Sequence, residues 1–344
     1  MLSALMGHQF MKGQTLIAMV RSSDDIGWGF INIKGETILP NVYLNCDAFS
    51  KEGLAAVYDK DITDFYFIDT KGNRLPVEAK GFRLKTAGLN SPIGFSNGFA
   101  LYSVGKKWGY LDKSGKIAVE AKFDKAWEFY DDYAVAQSGL TFVILNKELQ
   151  ETPVTDNSII DVKHFSEGLA PYVTPDKLTG FIDPSAKIAI SARFQSVGYF
   201  SGGLAWAKTI NKLVGYIDKT GNWVIEPRFE TGKNFDPETG LARIGIDGRT
   251  AFVNRNGEVI YFETGEDFGD FSNGLCWCRN NDLVGFINPK GEWVITPRFE
   301  AVREFKNGYA AVKEGDEWGF IDTKGNWVIK PVYSAVKDME LVSE

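Results

Sequence analysis

The chain has 344 residues, a net charge of −7, and 44% hydrophobic and 14% aromatic residues. This apolar content is enough for a folded core. Acidic and basic residues are interspersed and form no basic stripe, so we expect no nucleic-acid partner. Three cysteines do not make a disulfide framework. Residues 1–19 lack the charged start and long apolar run of a signal peptide or membrane span. We therefore expect a cytoplasmic protein, although an effector exported by a dedicated machine would look the same.

One pattern recurs along the chain: a Phe, a Gly about three residues later, and an apolar strand. It reads FSKEGLAAV from Phe49, FSNGFALYSV from Phe95 and FSNGLCWC from Phe271. Framed on this Phe, the chain holds nine units with a period of about 35 residues, typical of repeat arrays, starting at residues 10, 49, 95, 129, 165, 200, 235, 271 and 305. We expect one array over residues 10–339, a lead at residues 1–9 and a tail at residues 340–344. The charged residues 337–344 would suit an exposed cap.

Each unit also contains a predicted β-hairpin, and its clearest copy is EWGFIDTKGNWVIKPVY at residues 317–333. The run from Trp318 is aromatic and β-branched, which favours a strand. Asp322 opens a turn by bonding its own backbone, and Gly325 accepts the positive φ of a short loop. Trp327 begins the return strand, and Pro331 ends the pairing because it has no N–H.

Copies of this hairpin lie at residues 29–43, 109–123, 180–194, 215–229, 251–262 and 285–299. Residues 66–74 keep the turn, whereas residues 142–150 have lost it, with Leu145 at the Asp position and Glu148 at the Gly position. The recurring residues are expected to be structural: Trp28, Gly29, Trp108, Gly109, Asp218, Gly221, Trp223, Pro227, Trp293, Pro297, Trp318, Gly319, Asp322, Gly325, Trp327 and Pro331. We predict an all-β fold of three-stranded repeats stacked as an open or curved β-solenoid, with a closed, propeller-like ring as the alternative.

The Trp-Gly-Tyr/Phe-Ile-Asp run, with Gly in the turn and Val-Ile-x-Pro after it, resembles the bacterial WG repeat family. The resemblance extends from Phe10 to about residue 336, and only Trp28, Trp108 and Trp318 supply the Trp-Gly pair literally. It implies a bacterial interaction protein, with an accessory or toxin-neutralising role as one option.

Specificity is expected where the repeats disagree. Residues 80–94 form an insertion, which is either a binding loop or a tolerated one, and the unit at residues 129–164 departs most from the pattern. The aspartates of residues 59–64 favour a solvated turn over a calcium site, since the Gly and distal Glu of a calcium loop are missing. The candidate partner-binding residues are Trp127, Tyr130, Arg83, Lys85, Asn90 and His164.

No constellation of catalytic or metal-ligating residues stands out. His8 and His164 lie in different units, away from any cysteine. Cys276 occupies a slot filled elsewhere by Ala, Cys46 occupies one filled by Val, and Cys278 falls on the same strand face as Cys276, so we expect buried structural thiols. The repeated turn Asp alternates with Asn, which suits a turn but neither a general base nor a metal ligand. We expect no enzyme activity, cofactor or metal.

Two further columns are predicted to be structural. Lys122, Arg193, Arg228 and Arg298 share one slot, and we expect an inter-repeat ion-pair ladder there, with an anion-binding stripe as the alternative. Tryptophan recurs at one hairpin position and in the Gly-Leu-Ala strand, which favours packing between units. Trp127 is outside both columns, and we expect it to be exposed.

Two functions follow as expectations. The first is a non-catalytic scaffold that binds a protein partner through loops on one face. The second is a carbohydrate- or cell-envelope-binding module that uses aromatic platforms.

Overall fold

The computed structural model describes residues 13–22, 27–59, 65–87 and 91–343. The predicted lead at residues 1–9, Asp61, Asp64 and Asn90 lie outside the described residues. The described chain consists of β-strands and their connections, and it contains no helix with the length and apolar character of a membrane span. The prediction of an all-β fold is confirmed.

The chain divides into two compact units. The terminal unit comprises Met1–Pro76, Leu84–Phe95 and Arg298–Glu344, and the central unit comprises Val77–Arg83 and Ser96–Pro297. The first strands are β1 Gln14–Ser22, β2 Trp28–Asn32, β3 Thr37–Cys46, β4 Leu54–Asp59, β5 Tyr66–Asp69, β6 Arg83–Leu84, β7 Thr86–Ala87, β8 Ser91–Pro92, β9 Phe99–Val104, β10 Lys107–Asp112, β11 Ile117–Phe123, β12 Lys125–Ala126, β13 Tyr133–Ser138, β14 Thr141–Asn146, β15 Glu151–Pro153, β16 Asp161–Val162, β17 Ala170–Val173 and β18 Thr179–Ile182. They are followed by β19 Ile188–Phe194, β20 Ser196–Val197, β21 Ala205–Lys208, β22 Val214–Ile217, β23 Trp223–Phe229, β24 Thr231–Gly232, β25 Leu241–Ile246, β26 Arg249–Asn254, β27 Val259–Ile260, β28 Asp267–Ser272, β29 Leu275–Asn280, β30 Leu283–Ile287, β31 Trp293–Phe299, β32 Ala301–Val302, β33 Tyr309–Glu314, β34 Glu317–Asp322 and β35 Trp327–Ser343.

Most repeats form a four-stranded antiparallel sheet. The strand orders are β6-β9-β10-β11, β12-β13-β14-β15, β16-β17-β18-β19, β20-β21-β22-β23, β24-β25-β26-β27 and β28-β29-β30-β31. The last three strands of each sheet are those predicted from the sequence. The first is an additional strand, such as Ser196–Val197, which pairs with Ala207 and Lys208. The prediction of three strands missed it because two residues are too few for a periodic pattern.

In the terminal unit the first and last described strands pair with each other. Strand β35 runs antiparallel to β1, with Ser343 opposite Gln14, in a sheet ordered β32-β33-β34-β35-β1-β2-β3-β4-β5. Met339 and Val342 are buried there. The prediction that residues 337–344 form an exposed cap is therefore wrong for the described part of the segment as a whole, because Lys337 and Ser343 are exposed but Met339 and Val342 reach the core.

The predicted hairpin turns are present. In the copy at Asp322 the carboxylate Oδ1 accepts the backbone N–H groups of Lys324 and Asn326, both at 2.9 Å. Gly325 has a φ of +82°, which a residue with a Cβ adopts only at a cost. The same side-chain-to-backbone bond opens the turns at Asn32, Asp69, Asp112, Asp183, Asp218, Asn254 and Asn288.

The turn predicted to be lost in residues 142–150 is retained one residue further along. Asn146, not Leu145, takes the Asp position, and its Oδ1 accepts the N–H of Gln150 at 2.8 Å. Leu149 stands at the Gly position with a φ of +61°. The sequence pattern was misleading because the backbone geometry survives with a different residue at each key position.

In most repeats the loop after the repeated Phe is a two-residue hairpin, whereas it is longer after Phe49 and Phe235. The N–H of Ser96 donates to the carbonyl of Phe99 at 2.8 Å, and the N–H of Phe99 donates back at 3.2 Å. Asn97 and Gly98 both have positive φ, +50° and +92°, which is the geometry that favours Asn-Gly in hairpins. The Asn-Gly pair is therefore the signal in the sequence for this turn.

Side chains of the basic column join successive repeats, but not as predicted. Lys122 forms the expected ion pair, 2.5 Å from Glu151. The arginines instead donate to the carbonyl of the turn glycine in the next repeat, as Arg298 does to Gly325 at 2.7 Å; the other pairs are Arg193 with Gly221 and Arg228 with Gly257. The prediction of an ion-pair ladder is thus wrong for the arginines, because the carbonyl of the turn glycine lies within hydrogen-bonding distance of each guanidinium.

The hairpin tryptophans pack between repeats, as predicted. The Trp223 ring meets Phe194 edge to face with 5.5 Å between ring centroids, and Trp327 meets Phe299 in the same way at 5.8 Å. Such aromatic pairs add about 0.5–1.5 kcal/mol beyond their area burial. The repeats are therefore held together by aromatic packing as well as by hydrogen bonds from arginine side chains to backbone carbonyls.

Candidate functional site

Each four-stranded sheet has two ends, which we name by their connections. The Phe end carries the loop after the repeated Phe and the Asp or Asn turn. The tip end carries the hairpin between the second and third strands. In an antiparallel order, consecutive connections alternate between the two ends. The central unit carries one candidate surface at each end.

The tip hollow is a cavity of about 290 Å³ at the tip end of the sheet β12 to β15. Its lining consists of Gln137, Leu140, Thr141, Phe142, Val154, Asp156, Asn157, Ile159 and Ile160. Leu140 is 94% exposed and Ile160 is 52% exposed, whereas Leu and Ile are usually buried. The hollow therefore combines a packed apolar floor with apolar side chains that project into solvent.

The rim of the tip hollow is polar and acidic. The carboxylate of Asp156 accepts hydrogen bonds from the hydroxyl and the N–H of Ser158, at 2.6 and 2.8 Å. These bonds lower the pKa of Asp156 below its usual value of 3.8. The rim consequently keeps a negative charge at neutral pH.

Trp127 lies beneath this surface and is not exposed as predicted. Its indole is partly buried, packs into the apolar cluster around Ile144 and Val162, and has its ring centroid 6.5 Å from that of Phe142. Phe142 in turn lines the hollow. Trp127 thus supports the floor of the candidate surface, and its polar sequence neighbours were a misleading sign of exposure.

Other tip ends in the central unit also expose large apolar side chains. Ile210 is 71% exposed and Leu213 is 41% exposed at the hairpin between β21 and β22, and Leu283 is 38% exposed at the start of β30. The corresponding tips between β17 and β18 and between β25 and β26 carry Lys177 and Asp247 instead. Exposed apolar tips are thus confined to some repeats.

At the Phe end three aromatic side chains from successive four-stranded sheets form a stacked row. The His164 ring lies between the rings of Tyr130 and Tyr199, with centroid distances of 4.0 and 3.8 Å and interplanar angles of 23° and 16°. Two of the predicted candidates, Tyr130 and His164, are therefore in direct contact. Tyr199 was missed, because only the fold brings residues about one repeat apart into register.

Burial controls the protonation of this row. It lowers the pKa of His164 below its usual 6.5, and the nearby charges of Asp131 and Glu128 oppose that shift only in part. Burial also raises the pKa of Tyr130 and of Tyr199 above 10, with Glu128 and Asp161 respectively adding to it. The row is thus uncharged at neutral pH.

An open groove of about 500 Å³ adjoins the row at Tyr199. Its lining consists of Val197, Gly198, Tyr199, Trp206, Gly232, Lys233, Asn234, Phe235, Asp236, Pro237, Asp270 and Phe271. The Trp206 indole lies so close to Gly198 that a Cβ there would be 2.2 Å from Nε1. The sequence had indicated packing for Trp206, and the structure adds that this indole also lines a groove.

The predicted candidates in the insertion lie elsewhere. Arg83 is exposed in strand β6, where its carbonyl accepts the Ser103 hydroxyl at 3.4 Å, and the carbonyl of Lys85 accepts the N–H of Ile93 at 2.8 Å. The described part of the insertion is therefore not an unstructured loop. Its β6 and the hairpin of β7 and β8 supply backbone pairing instead.

The cysteines are free and buried, as predicted. Burial raises the pKa of each thiol above its usual 9.0, so the reactive thiolate is disfavoured. Among the residues the structure describes, no group of three or more His, Cys, Asp or Glu side chains is arranged to hold a metal ion.

Taken together, the repeated sheets, the turns and the inter-repeat contacts define an all-β repeat protein. The chain belongs to the family described as WG containing repeat, whose model matches residues 28–61, 108–139, 180–212, 215–249, 285–318 and 318–340, more than half of the chain. The resemblance stated from the sequence is confirmed.

Solved structures of distant proteins also align with the chain. PorZ, a surface component of the type-IX secretion system of Porphyromonas gingivalis, aligns at 11% identity with a TM-score of 0.30, over 92% of this chain and 53% of PorZ. The chain thus spans about half the length of PorZ. BamB from Moraxella catarrhalis aligns at 12% identity with a TM-score of 0.37, over 89% of this chain and 93% of BamB. A search of curated proteins found no significant match.

Proposed function

We propose that this protein is a non-catalytic scaffold that binds a protein partner at the tip hollow. The observation that carries the proposal is the exposure of Leu140, 94% of whose surface is accessible beside a cavity with a packed apolar floor. A bare Leu at a hairpin tip contributes nothing to the stability of the fold, whereas burying it in an interface would contribute about 1.5–3 kcal/mol.

The position of the hollow in the repeat supports this proposal. It lies in the repeat at residues 129–164, whose sequence departs most from the shared pattern. The tips of other repeats differ from it, since those at Lys177 and Asp247 are polar. A partner that recognises one place on a repeat protein needs a feature that the other repeats lack.

The charges around the hollow define the complementary partner surface. Asp156 stays ionised at the rim, and the whole chain carries a net charge of −7. The complementary surface of the partner therefore presents an apolar side chain flanked by basic residues, since opposite charge speeds association and excludes acidic competitors. The apolar contact would supply most of the affinity, because a few well-buried residues dominate interface energetics.

The proposal is tested by capture from a lysate of the native host with the purified chain and with Leu140→Asp. We expect the wild-type chain to retain a protein that Leu140→Asp does not retain. The affinity of Leu140→Asp for that protein should be at least tenfold lower, because a buried unpaired carboxylate is strongly unfavourable. Ile160→Asp should have the same effect. Ile188→Asp is the matched control, since Ile188 is 44% exposed elsewhere in the central unit.

Three outcomes would contradict the proposal. One is a partner retained equally by Leu140→Asp and Ile188→Asp. Another is concentration-dependent self-association of the wild-type chain that Leu140→Asp abolishes, which would assign the hollow to a second copy. The last is that no protein is retained above the level of the Leu140→Asp variant.

A further inference from the structure

The groove at the Phe end combines aromatic walls with polar side chains. Tyr199 and Trp206 supply the aromatic surface, and each is held in position by a neighbouring residue. His164 stacks on one face of Tyr199 at 3.8 Å, and Trp206 is seated against the backbone of Gly198. Rings held in this way lose little conformational entropy when a ligand packs against them.

The polar side chains of the groove include both donors and acceptors. Lys233 and Asn234 are exposed, and the main chain of Lys233 is anchored because its carbonyl accepts the Tyr216 hydroxyl at 2.9 Å. Asp270 presents one carboxylate oxygen to Arg243, whose Nε is 2.7 Å away. The second carboxylate oxygen of Asp270 can accept another hydrogen bond.

The charges in and beside the groove are balanced. Lys233 and Arg243 carry two positive charges, and Asp236 and Asp270 carry two negative charges. The carboxylate of Asp236 is already engaged with the N–H and hydroxyl of Thr239, at 2.8 and 2.7 Å. A charged ligand would therefore gain little net electrostatic attraction from the groove. A neutral ligand with many hydroxyl groups would be at no disadvantage to it.

We infer that this groove binds a neutral oligosaccharide. The apolar C–H face of a pyranose ring packs on an aromatic ring, and its hydroxyl groups need donors and acceptors side by side. Tyr199 and Trp206 supply the aromatic rings, and Asn234, Lys233 and Asp270 supply the donors and acceptors. The groove volume of about 500 Å³ is within the usual range of small-molecule sites. A proline-rich peptide would use the aromatic rings but would leave the polar side chains without partners.

This inference is independent of the proposed protein partner, because the groove and the tip hollow share no lining residue. Isothermal titration calorimetry of the full chain tests it with hexasaccharides of β-1,4-glucose, β-1,4-N-acetylglucosamine, β-1,4-mannose and α-1,4-glucose. Hexagalacturonate and a proline decamer serve as the charged and peptide probes. We expect saturable binding of at least one neutral hexasaccharide with a dissociation constant below about 1 mM.

The variants assign the binding to the groove. Tyr199→Ala is expected to weaken it at least tenfold and Asn234→Ala about threefold. Tyr261→Ala should leave it unchanged, since Tyr261 is a 47% exposed tyrosine that does not line the groove. Leu140→Asp should also leave it unchanged, which separates this inference from the proposed function. Tyr199→Phe keeps the aromatic ring and should retain most of the affinity. Its comparison with Tyr199→Ala distinguishes an effect of losing the ring from an effect of any substitution at this position.

Four outcomes would overturn the inference. These are no saturable binding of any neutral hexasaccharide, binding insensitive to Tyr199→Ala, binding of hexagalacturonate alone, and binding of the proline decamer alone.

Discussion

His164 is placed at the centre of a stack that favours its neutral form. Its imidazole lies between Tyr130 and Tyr199, and burial holds its pKa below 6.5. Between the folded and unfolded pKa values the unfolded chain binds more protons. The contribution of this group to stability is therefore present above about pH 6.5 and is lost as the pH falls through the folded pKa.

We predict that His164 titrates with a midpoint below 6.5. The chain has two histidines, so its imidazole resonances can be followed by NMR and assigned with His164→Gln. The free energy of unfolding should also fall less between pH 7.5 and pH 5.5 in His164→Phe than in the wild type. A midpoint at or above 6.5 would show that Asp131 and Glu128 outweigh burial.

The turn residues carry a second consequence at this scale. Gly325 occupies a left-handed conformation with a φ of +82°, and Ala186 occupies the same turn position with a φ of +61°. A Cβ in this region costs about 1–2 kcal/mol. We predict that Ala186→Gly raises the free energy of unfolding by about 1 kcal/mol and that Gly325→Val lowers it by about 1–3 kcal/mol. Chemical denaturation measures both, and an unchanged midpoint for Gly325→Val would contradict the turn assignment.

At the scale of the element, the hairpin is joined to its neighbour by its own turn. The carbonyl of the turn glycine has no partner inside the hairpin, and an arginine of the preceding repeat donates to it. The guanidinium also lies over the following Phe ring, 5.2 Å from the centroid for Arg228 and Phe229. One side chain therefore combines a charge-assisted hydrogen bond with a cation–π contact.

We predict that Arg228→Met lowers the free energy of unfolding by about 1–3 kcal/mol, because the Gly257 carbonyl is left without its donor. Lys122→Met is the matched control. Lys122 fills the same slot but forms an exposed ion pair with Glu151, so its loss should cost about 0–1 kcal/mol. Equal losses in the two variants would contradict the distinction between the carbonyl contact and the ion pair.

At the scale of the whole molecule, the first and last described strands pair in one sheet of the terminal unit. Strand β35 places Met339 and Val342 in the core beside β1. Asp338 and Glu340 reach Arg303 and Lys306 respectively. The C-terminal segment therefore contributes apolar burial in addition to surface ion pairs.

We predict that removing residues 338–344 lowers the free energy of unfolding by about 3–6 kcal/mol, which is the loss of two buried apolar side chains. Amide hydrogen exchange should then speed up in β1, which loses its hydrogen-bonded neighbour. Glu340→Gln is the control, because it keeps the strand and removes one exposed ion pair, worth at most about 1 kcal/mol. A truncated chain as stable as the wild type would show that β35 contributes little beyond its hairpin.

What the sequence alone determined about this protein is local. The repeat, the hairpin and the Asp or Asn turn were predictable because the residues responsible, such as Asp322 and Gly325, stand within one repeat. The recurrence of tryptophan at one hairpin position also predicted packing between repeats, but only the structure identified the partner rings, such as Phe194 for Trp223. The turn at Asn146 was not predicted, because its backbone geometry forms with residues other than Asp and Gly at the key positions. Only the tertiary structure decided the rest. The pairing of Gln14 with Ser343, the stacking of Tyr130, His164 and Tyr199, and the hydrogen bond from Arg298 to the Gly325 carbonyl all join residues that are distant in the sequence. Such contacts depend on the register in which repeats stack, and no pattern within one repeat specifies that register.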